Sequence, residues 1–237
     1  MQKVSNNKRQ KVDEGEASDA TNSKFEIFYF PMQGRAEYVR LVLAFAKADW
    51  ESKNVEDWAK EKTSTKGLLF KQVPMLIETT ASGDEHRLVQ TGTIIRYLAK
   101  KFKLGSEDNF KNALLDSYFE GIYEIINKLF VHIFSTKKEE KDKIPENILK
   151  DESLKSLISS IEEILKSNGS NGYFMGKKST YVDVVAFGLI DSFIKFPGIE
   201  DKLFSKEKTP NLIKVYEHIS KNPEIKAYLK SDKRFAN

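Results

Sequence analysis

Phe28-Tyr29-Phe30-Pro31-Met32-Gln33-Gly34-Arg35-Ala36-Glu37 is a short apolar run that meets an aromatic hydroxyl and turns through Pro31 and Gly34 into a helical pattern. Residues 25–30 read as a strand. Beyond the turn, Val39, Val42, Leu43 and Ala46 fall on one face of a helix over 35–47. The strand–turn–helix opening places a phenol, Tyr29, and a guanidinium, Arg35, at the carboxyl edge of a strand. Open α/β sheets bind ligands in the crevice outside such edges, so these two side chains are better placed for chemistry than for packing.

Working outward, 50–55 reads as a second strand and 57–62 as a short helix with Trp58 and Lys62 four residues apart. Met75-Leu76-Ile77 and Arg87-Leu88-Val89 read as strands joined by the polar turn 80–85, whose Gly83 makes a hairpin the simplest connection. A helix over 93–102 turns Ile94, Ile95, Leu98 and Phe102 to one side. The order βαβαββα over residues 24–103 predicts a mixed sheet of about four strands with helices packed on it, an α/β domain.

After Lys103 no strand-like alternation remains, so residues 104–237 read as an all-α domain. A long helix over 108–134 has Leu114, Leu115, Tyr118, Ile122, Ile125, Ile126 and Leu129 inward, and Leu154, Leu157, Ile158, Ile161 and Leu165 mark another. Thr180-Tyr181-Val182-Asp183 has the spacing of a capping box ahead of an apolar run. Thr209-Pro210 and Asn222-Pro223 start two further helices, each with proline at the first helical position. The charge run 137–143 reads as a solvated loop or helix end.

Composition narrows the function classes. Forty per cent of the 237 residues are hydrophobic, ample for a core, while the longest apolar run is far short of the roughly 20 residues that span a bilayer. The chain has no cysteine, which excludes a disulfide framework, a thiolate nucleophile on the protein and Cys-ligated metal, and fits a reducing, cytoplasmic compartment. A net charge of +4 provides little drive toward nucleic-acid phosphates. Residues 1–23 are polar and lack aromatics, Leu and Ile, so they read as a disordered tail; its Lys8-Arg9-Gln10-Lys11 cluster is more often solvated charge than a nuclear address. His86, His132 and His218 show no metal-ligand spacing, and no metal site is expected.

Three segments can meet along one sheet edge: Tyr29 with Arg35, Gln72-Val73-Pro74 entering the third strand, and Gln90-Thr91-Gly92 opening a helix. An extended ligand pairing with Gln72-Val73 finds main-chain donors and acceptors there. At Gln90-Thr91-Gly92, unpaired N–H groups, the helix dipole and the Thr91 hydroxyl favour a carboxylate. Taken singly, Thr91 is more often an N-cap and Pro74 a strand-entry proline. The order of all three segments carries the functional reading.

That order resembles the cytosolic glutathione transferases, and residues 29–37 look most like the sigma class; the likeness covers about residues 25–231. The resemblance implies a thioredoxin-like first domain, a helical second domain with the electrophile pocket, a cis Val73–Pro74 bond and a homodimer. It implies no tightly bound cofactor, with glutathione as co-substrate beside a small hydrophobic electrophile. By position, Tyr29 would contact the glutathione sulfur with Arg35 in support, and Trp58 and Lys62 would hold the glycine end. Lys71, Gln72 and Val73 would pair with the cysteinyl backbone, and Gln90 with Thr91 would take the γ-glutamyl carboxylate. Asp116 or Glu120 from the partner subunit would reach the amino group. Many sigma members have Lys at the position of Gln72 and Ser at that of Thr91. Phe30 and Met32 are the expected pocket-lining residues.

The role of Tyr29 follows from its chemistry. A phenol titrates near 10 and a thiol near 8.5, so Tyr29 is a poor base for the thiol and a good hydrogen-bond donor to a thiolate. The implied activity is transfer of glutathione to electrophiles, with peroxide reduction or isomerisation as related chemistry. The competing readings are a non-catalytic binding or structural module of the same fold and a nuclear regulator acting through the basic tail. A purely structural copy needs no thiol-directed phenol.

Overall fold

A computed structural model describes residues 22–236. The expected tail and its basic cluster lie outside the described residues, except at their end. There Ser23, assigned to the tail from sequence, is 2% exposed and hydrogen-bonds Glu78, so the packed chain starts earlier than its composition suggests.

Four strands form one mixed sheet in the order β2-β1-β3-β4, from β1 (Lys24–Tyr29), β2 (Asp49–Asn54), β3 (Met75–Thr79) and β4 (Glu85–Val89). β1 runs parallel to β2 and antiparallel to β3, and β3 pairs antiparallel with β4. The register sets Phe28 opposite Met75 and Met75 opposite Val89. The carboxyl end of β1, the entry to β3 and the exit of β4 therefore converge at one edge, bringing together the three segments singled out in the sequence.

Helices α1 (Ala36–Phe45), α2 (Trp58–Ser64) and α3 (Thr91–Lys101) complete this thioredoxin-like unit. The helical region follows as α4 (Asn109–Phe134), α5 (Ile144–Lys150), α6 (Glu152–Ser167), α7 (Tyr181–Phe193), α8 (Pro210–Ile219) and α9 (Pro223–Leu229). α1 is buried from Ala36 to Ala44 because it is packed against the sheet, α3, α7 and α9. None of the described helices is long and apolar enough to cross a membrane.

Two local readings change. α3 begins at Thr91, with Gln90 as its N-cap, so Thr91 is not the cap residue. α5 went unread because seven residues with only Ile144 and Ile148 buried carry too little periodicity, and the charge run before it forms an exposed 3-10 turn, Lys138–Lys143.

The capping box of α7 is present and extends further than its spacing reveals. Asp183 is fully buried; one carboxylate oxygen accepts from the Thr180 N–H and hydroxyl, each at 2.7 Å, and the other accepts from the Phe174 N–H at 2.9 Å. Burial pushes its pKa up against these hydrogen bonds. The Leu104 carbonyl accepts from the Tyr181 N–H at 2.9 Å, tying the interdomain linker to the same helix start. Replacing Asp183 strands two buried backbone donors, each costing about 1–3 kcal/mol. Asp183→Ala is expected to lower stability by about 2–4 kcal/mol in urea unfolding. Asp183→Asn, which supplies one acceptor oxygen in place of two, should recover only part of that loss.

Candidate active site

Tyr29 ends β1 and is 7% exposed, and its hydroxyl accepts the Arg35 backbone N–H at 3.1 Å. With that lone pair engaged, the phenolic proton is left to donate to a ligand. Burial pushes the phenol above the ordinary tyrosine range, while the Arg35 N–H and the Arg35 and Arg40 guanidinium groups pull it back. The group is a neutral donor at physiological pH.

Gly34 makes this approach possible. Its φ is +45°, and a Cβ there would stand 2.6 Å from the Tyr29 hydroxyl and 2.9 Å from the ring edge. The next residue, Arg35, reaches α4: its guanidinium donates to Asn127 Oδ1 at 2.6 Å and to the Tyr123 hydroxyl at 3.4 Å, and lies 4.9 Å from the centre of the Phe130 ring. One side chain thus joins the turn below to the helix above.

A cavity of about 510 Å³ opens at this edge. Eight residues expected from sequence border it: Arg35, Trp58, Lys71, Gln72, Val73, Pro74, Gln90 and Thr91. Phe30 borders it too and packs edge-on against Trp58, with ring centres 5.4 Å apart. The Val73–Pro74 bond is cis. Gln90 Nε2 donates to Gln72 Oε1 at 3.1 Å, so the two glutamines meet across the crevice mouth. Gln90 holds φ +76°, an unusual value for a residue with a side chain and of a kind that concentrates at ligand sites. Its carbonyl accepts the Ile94 N–H at 2.9 Å, the first return bond of α3, which leaves the N–H groups ahead of it unpaired within the helix and suited to an anion.

Other expected residues sit elsewhere. Lys62 does not border the cavity; four residues along α2 carry it about 6 Å beyond Trp58, onto an exposed surface. Asp116 and Glu120 face Arg96 of α3 in their own chain. Arg96 Nε donates to Asp116 at 3.1 Å and its terminal nitrogen pairs with Glu120, while the Tyr181 hydroxyl donates to Asp116 at 2.5 Å. Sequence reasoning missed Asn127. Its signal is a polar residue within an apolar stretch of α4, four residues after Tyr123. Among the described residues no group of three or more His, Asp or Glu could hold a metal.

A second cavity of about 920 Å³ lies on the other side of Arg35, bordered by Met32, Gly34, Phe130, Phe134, Phe196 and Phe235 among others. Gly34, where a Cβ would meet the Tyr29 hydroxyl, lies on this side, and the Arg35 guanidinium lies over the Phe130 ring. Tyr29 itself borders neither cavity: its neighbours Phe30 and Arg35 border the crevice rich in polar groups, and Met32 and Gly34 border the larger, mostly apolar chamber.

The profile described as "Glutathione S-transferase, N-terminal domain" matches residues 23–100, and that described as "Glutathione S-transferase, C-terminal domain" matches residues 123–232. The chain is 31% identical over 209 residues to a glutathione S-transferase P of Caenorhabditis elegans, covering 86% of this chain and 91% of that protein. It is 34% identical over 168 residues to a glutathione S-transferase A of Cavia porcellus, covering 69% and 72% respectively. In three dimensions it matches a sigma-class glutathione S-transferase of Fasciola hepatica with TM-score 0.75 and 24% identity, over 91% of this chain and 98% of that one.

The contact at Gly34 can be isolated from its backbone angle. Gly34→Ala carries both a left-handed conformation, costing about 1–2 kcal/mol, and the clash with Tyr29. Gly83→Ala carries only the conformation, because nothing lies within 4 Å of a Cβ at that position. Urea unfolding should show Gly34→Ala to be the more destabilised of the two by about 1–3 kcal/mol.

Proposed function

Because this chain belongs to the glutathione S-transferase family, we propose that it binds glutathione in the polar crevice at the sheet edge and that Tyr29 holds the bound sulfur as the thiolate. It is a glutathione S-transferase, and the reaction is nucleophilic attack by that thiolate on an electrophilic centre. The observation that carries the reading is the bond from the Arg35 N–H to the Tyr29 hydroxyl, which leaves the phenolic proton to donate. A hydrogen bond to a charged group contributes roughly 1.5–3 kcal/mol, and each pKa unit corresponds to about 1.4 kcal/mol. One such bond lowers the thiol pKa from about 8.5 by one to two units, enough to make the thiolate abundant near neutral pH.

The remaining contacts follow the cavity. Trp58 and Lys71 hold the glycine end, with Lys71 in the place expected for Lys62. The main chain of Gln72 and Val73 pairs with the cysteinyl unit. Gln90, Thr91 and the N-terminus of α3 take the γ-glutamyl carboxylate. Arg35 adds a fixed positive charge near the sulfur. The apolar chamber beyond Arg35 receives the electrophile, with Met32 and Phe130 on its walls. Glutathione is a co-substrate, and the enzyme works in the cytoplasm without a tightly bound cofactor.

The working form is a homodimer. Leu69 and Phe70 are 63% and 71% exposed just ahead of the crevice, and Phe70 holds φ +62°, so a bulky apolar side chain is presented to solvent on a shaped loop. Burial of that loop against a second copy accounts for both features. In the dimer, Asp116 or Glu120 of the partner subunit meets the glutathione amino group. Phe70→Ser should shift sedimentation from dimer toward monomer while leaving the circular dichroism of the chain in place; an unchanged dimer assigns the interface elsewhere.

Tyr29→Phe tests the catalytic assignment. Conjugation of a chromogenic electrophile should fall about 10- to 100-fold at pH 7, and the pKa of bound thiol, followed by thiolate absorbance, should rise one to two units. In the wild type the rate rises with pH through the lowered thiol pKa and then levels; no decline near pH 10 arises from Tyr29, whose own titration is pushed higher by burial. Glutathione binding without turnover of any electrophile class would favour a binding module instead.

A further inference from the structure

We propose that the apolar chamber selects electrophiles carrying a carboxylate on an apolar body, with the charge held by Lys195 and Lys230. The inference rests on the assignment of that chamber to the electrophile.

Four charged side chains border the chamber: Asp191, Lys195, Lys230 and Arg234. Two of them neutralise each other. Arg234 pairs with Asp191 and its Nε lies 3.4 Å from Glu37, while the Tyr216 hydroxyl donates to Asp191 at 3.3 Å. Lys195 and Lys230 are left over. Both are exposed, and neither side chain makes a hydrogen bond or ion pair with any described residue. They stand just past the C-termini of α7 and α9, where the helix dipoles hold a cation.

A neutral electrophile gains nothing from two ammonium groups beside the chamber, and a small polar anion gains nothing from its aromatic walls. An amphiphile uses both. Beside low-dielectric walls a charge pair is stronger than in open water, so the two cations favour an anionic head while the apolar body fills the chamber. The turn that presents Tyr29 borders the same chamber through Met32 and Gly34. A substrate of this kind would keep its charge at the lysines and direct its reactive carbon toward that turn. For an activated aryl chloride, the carbon–sulfur bond forms, the electron pair enters the nitroarene ring, and the carbon–chlorine bond then breaks to release chloride. The thiol proton has already passed to solvent.

The test compares 4-chloro-3,5-dinitrobenzoate with its methyl ester in the wild type and in K195Q/K230Q. The two probes share a body and a reacting atom, and the ratio of their kcat/KM values, compared between proteins, removes their intrinsic difference in reactivity. The double variant is expected to lose about tenfold in the acid-to-ester ratio, equivalent to about 1.4 kcal/mol. Raised salt should shrink the wild-type ratio toward that of the variant. An acid-to-ester ratio unchanged by K195Q/K230Q overturns the proposal. Turnover of neither probe by the wild type counts against the transferase assignment of the site. Fluorescence titration with unreactive 11-(dansylamino)undecanoate and its methyl ester then decides the present point. An acid preference that disappears in K195Q/K230Q supports it, and equal affinity for the two in the wild type overturns it.

Discussion

The turn that follows Tyr29 depends on a buried guanidinium in α1. Arg40 has no exposed surface, yet it donates to the carbonyls of Met32 at 2.9 Å and Gln33 at 3.2 Å and to the Ser52 hydroxyl at 3.3 Å. Those carbonyls belong to the turn between β1 and α1, so Arg40 fixes its path from inside. Desolvation disfavours both this cation and its buried neighbour Glu37, 3.6 Å away, and their mutual attraction opposes that effect. Glu37 is held further by the Tyr228 hydroxyl at 2.7 Å and by Arg234. A buried charge set of this kind tolerates the loss of one member poorly, because the survivor is left uncompensated.

From that anchor the site is assembled by crossings between the two parts of the chain. Gln33 donates to the Phe235 carbonyl at 2.8 Å, Arg40 lies 4.6 Å from the centre of the Phe235 ring, and Lys233 donates to the Trp50 carbonyl at 2.6 Å. The end of the described chain is thereby drawn across the base of the turn and becomes a wall of the apolar chamber. On the other side, Arg35 grips Asn127 and Tyr123 of α4. The turn is held between the sheet and the helical region, which gives a short loop the rigidity that the proposed thiol-directed role of Tyr29 requires.

Much of this was legible in the residues. The succession of strands and helices along the chain, the start of α7 and the two proline-led helices follow from periodicity and capping chemistry, which are local and repeat over several residues. Eight crevice residues were also legible, because strand ends and helix starts carry recognisable punctuation: Val73-Pro74 at one, Gln90-Thr91 at another. Lys62 falls outside the crevice because helical spacing sets a direction along a helix without saying where the helix points. Glu37 and Arg40 escaped notice for a related reason. Charged residues three apart normally mark the wet face of a helix, and only packing on both sides of α1 reveals that this helix has none.

The sequence by itself determined the two-part architecture, the absence of a protein thiolate and the identity of the phenol at the end of β1, since composition and short-range pattern act within a few residues. Tertiary structure alone decided that the Tyr29 hydroxyl accepts from the Arg35 N–H, that a polar crevice and an apolar chamber open beside the turn that follows it, and that the side chains of two lysines beside that chamber meet no described residue in a hydrogen bond or ion pair. Those outcomes depend on where residues up to about 200 positions apart are brought together, as Gln33 and Phe235 are. Distances of that kind are fixed by how the sheet and helices close on one another, which no local pattern encodes.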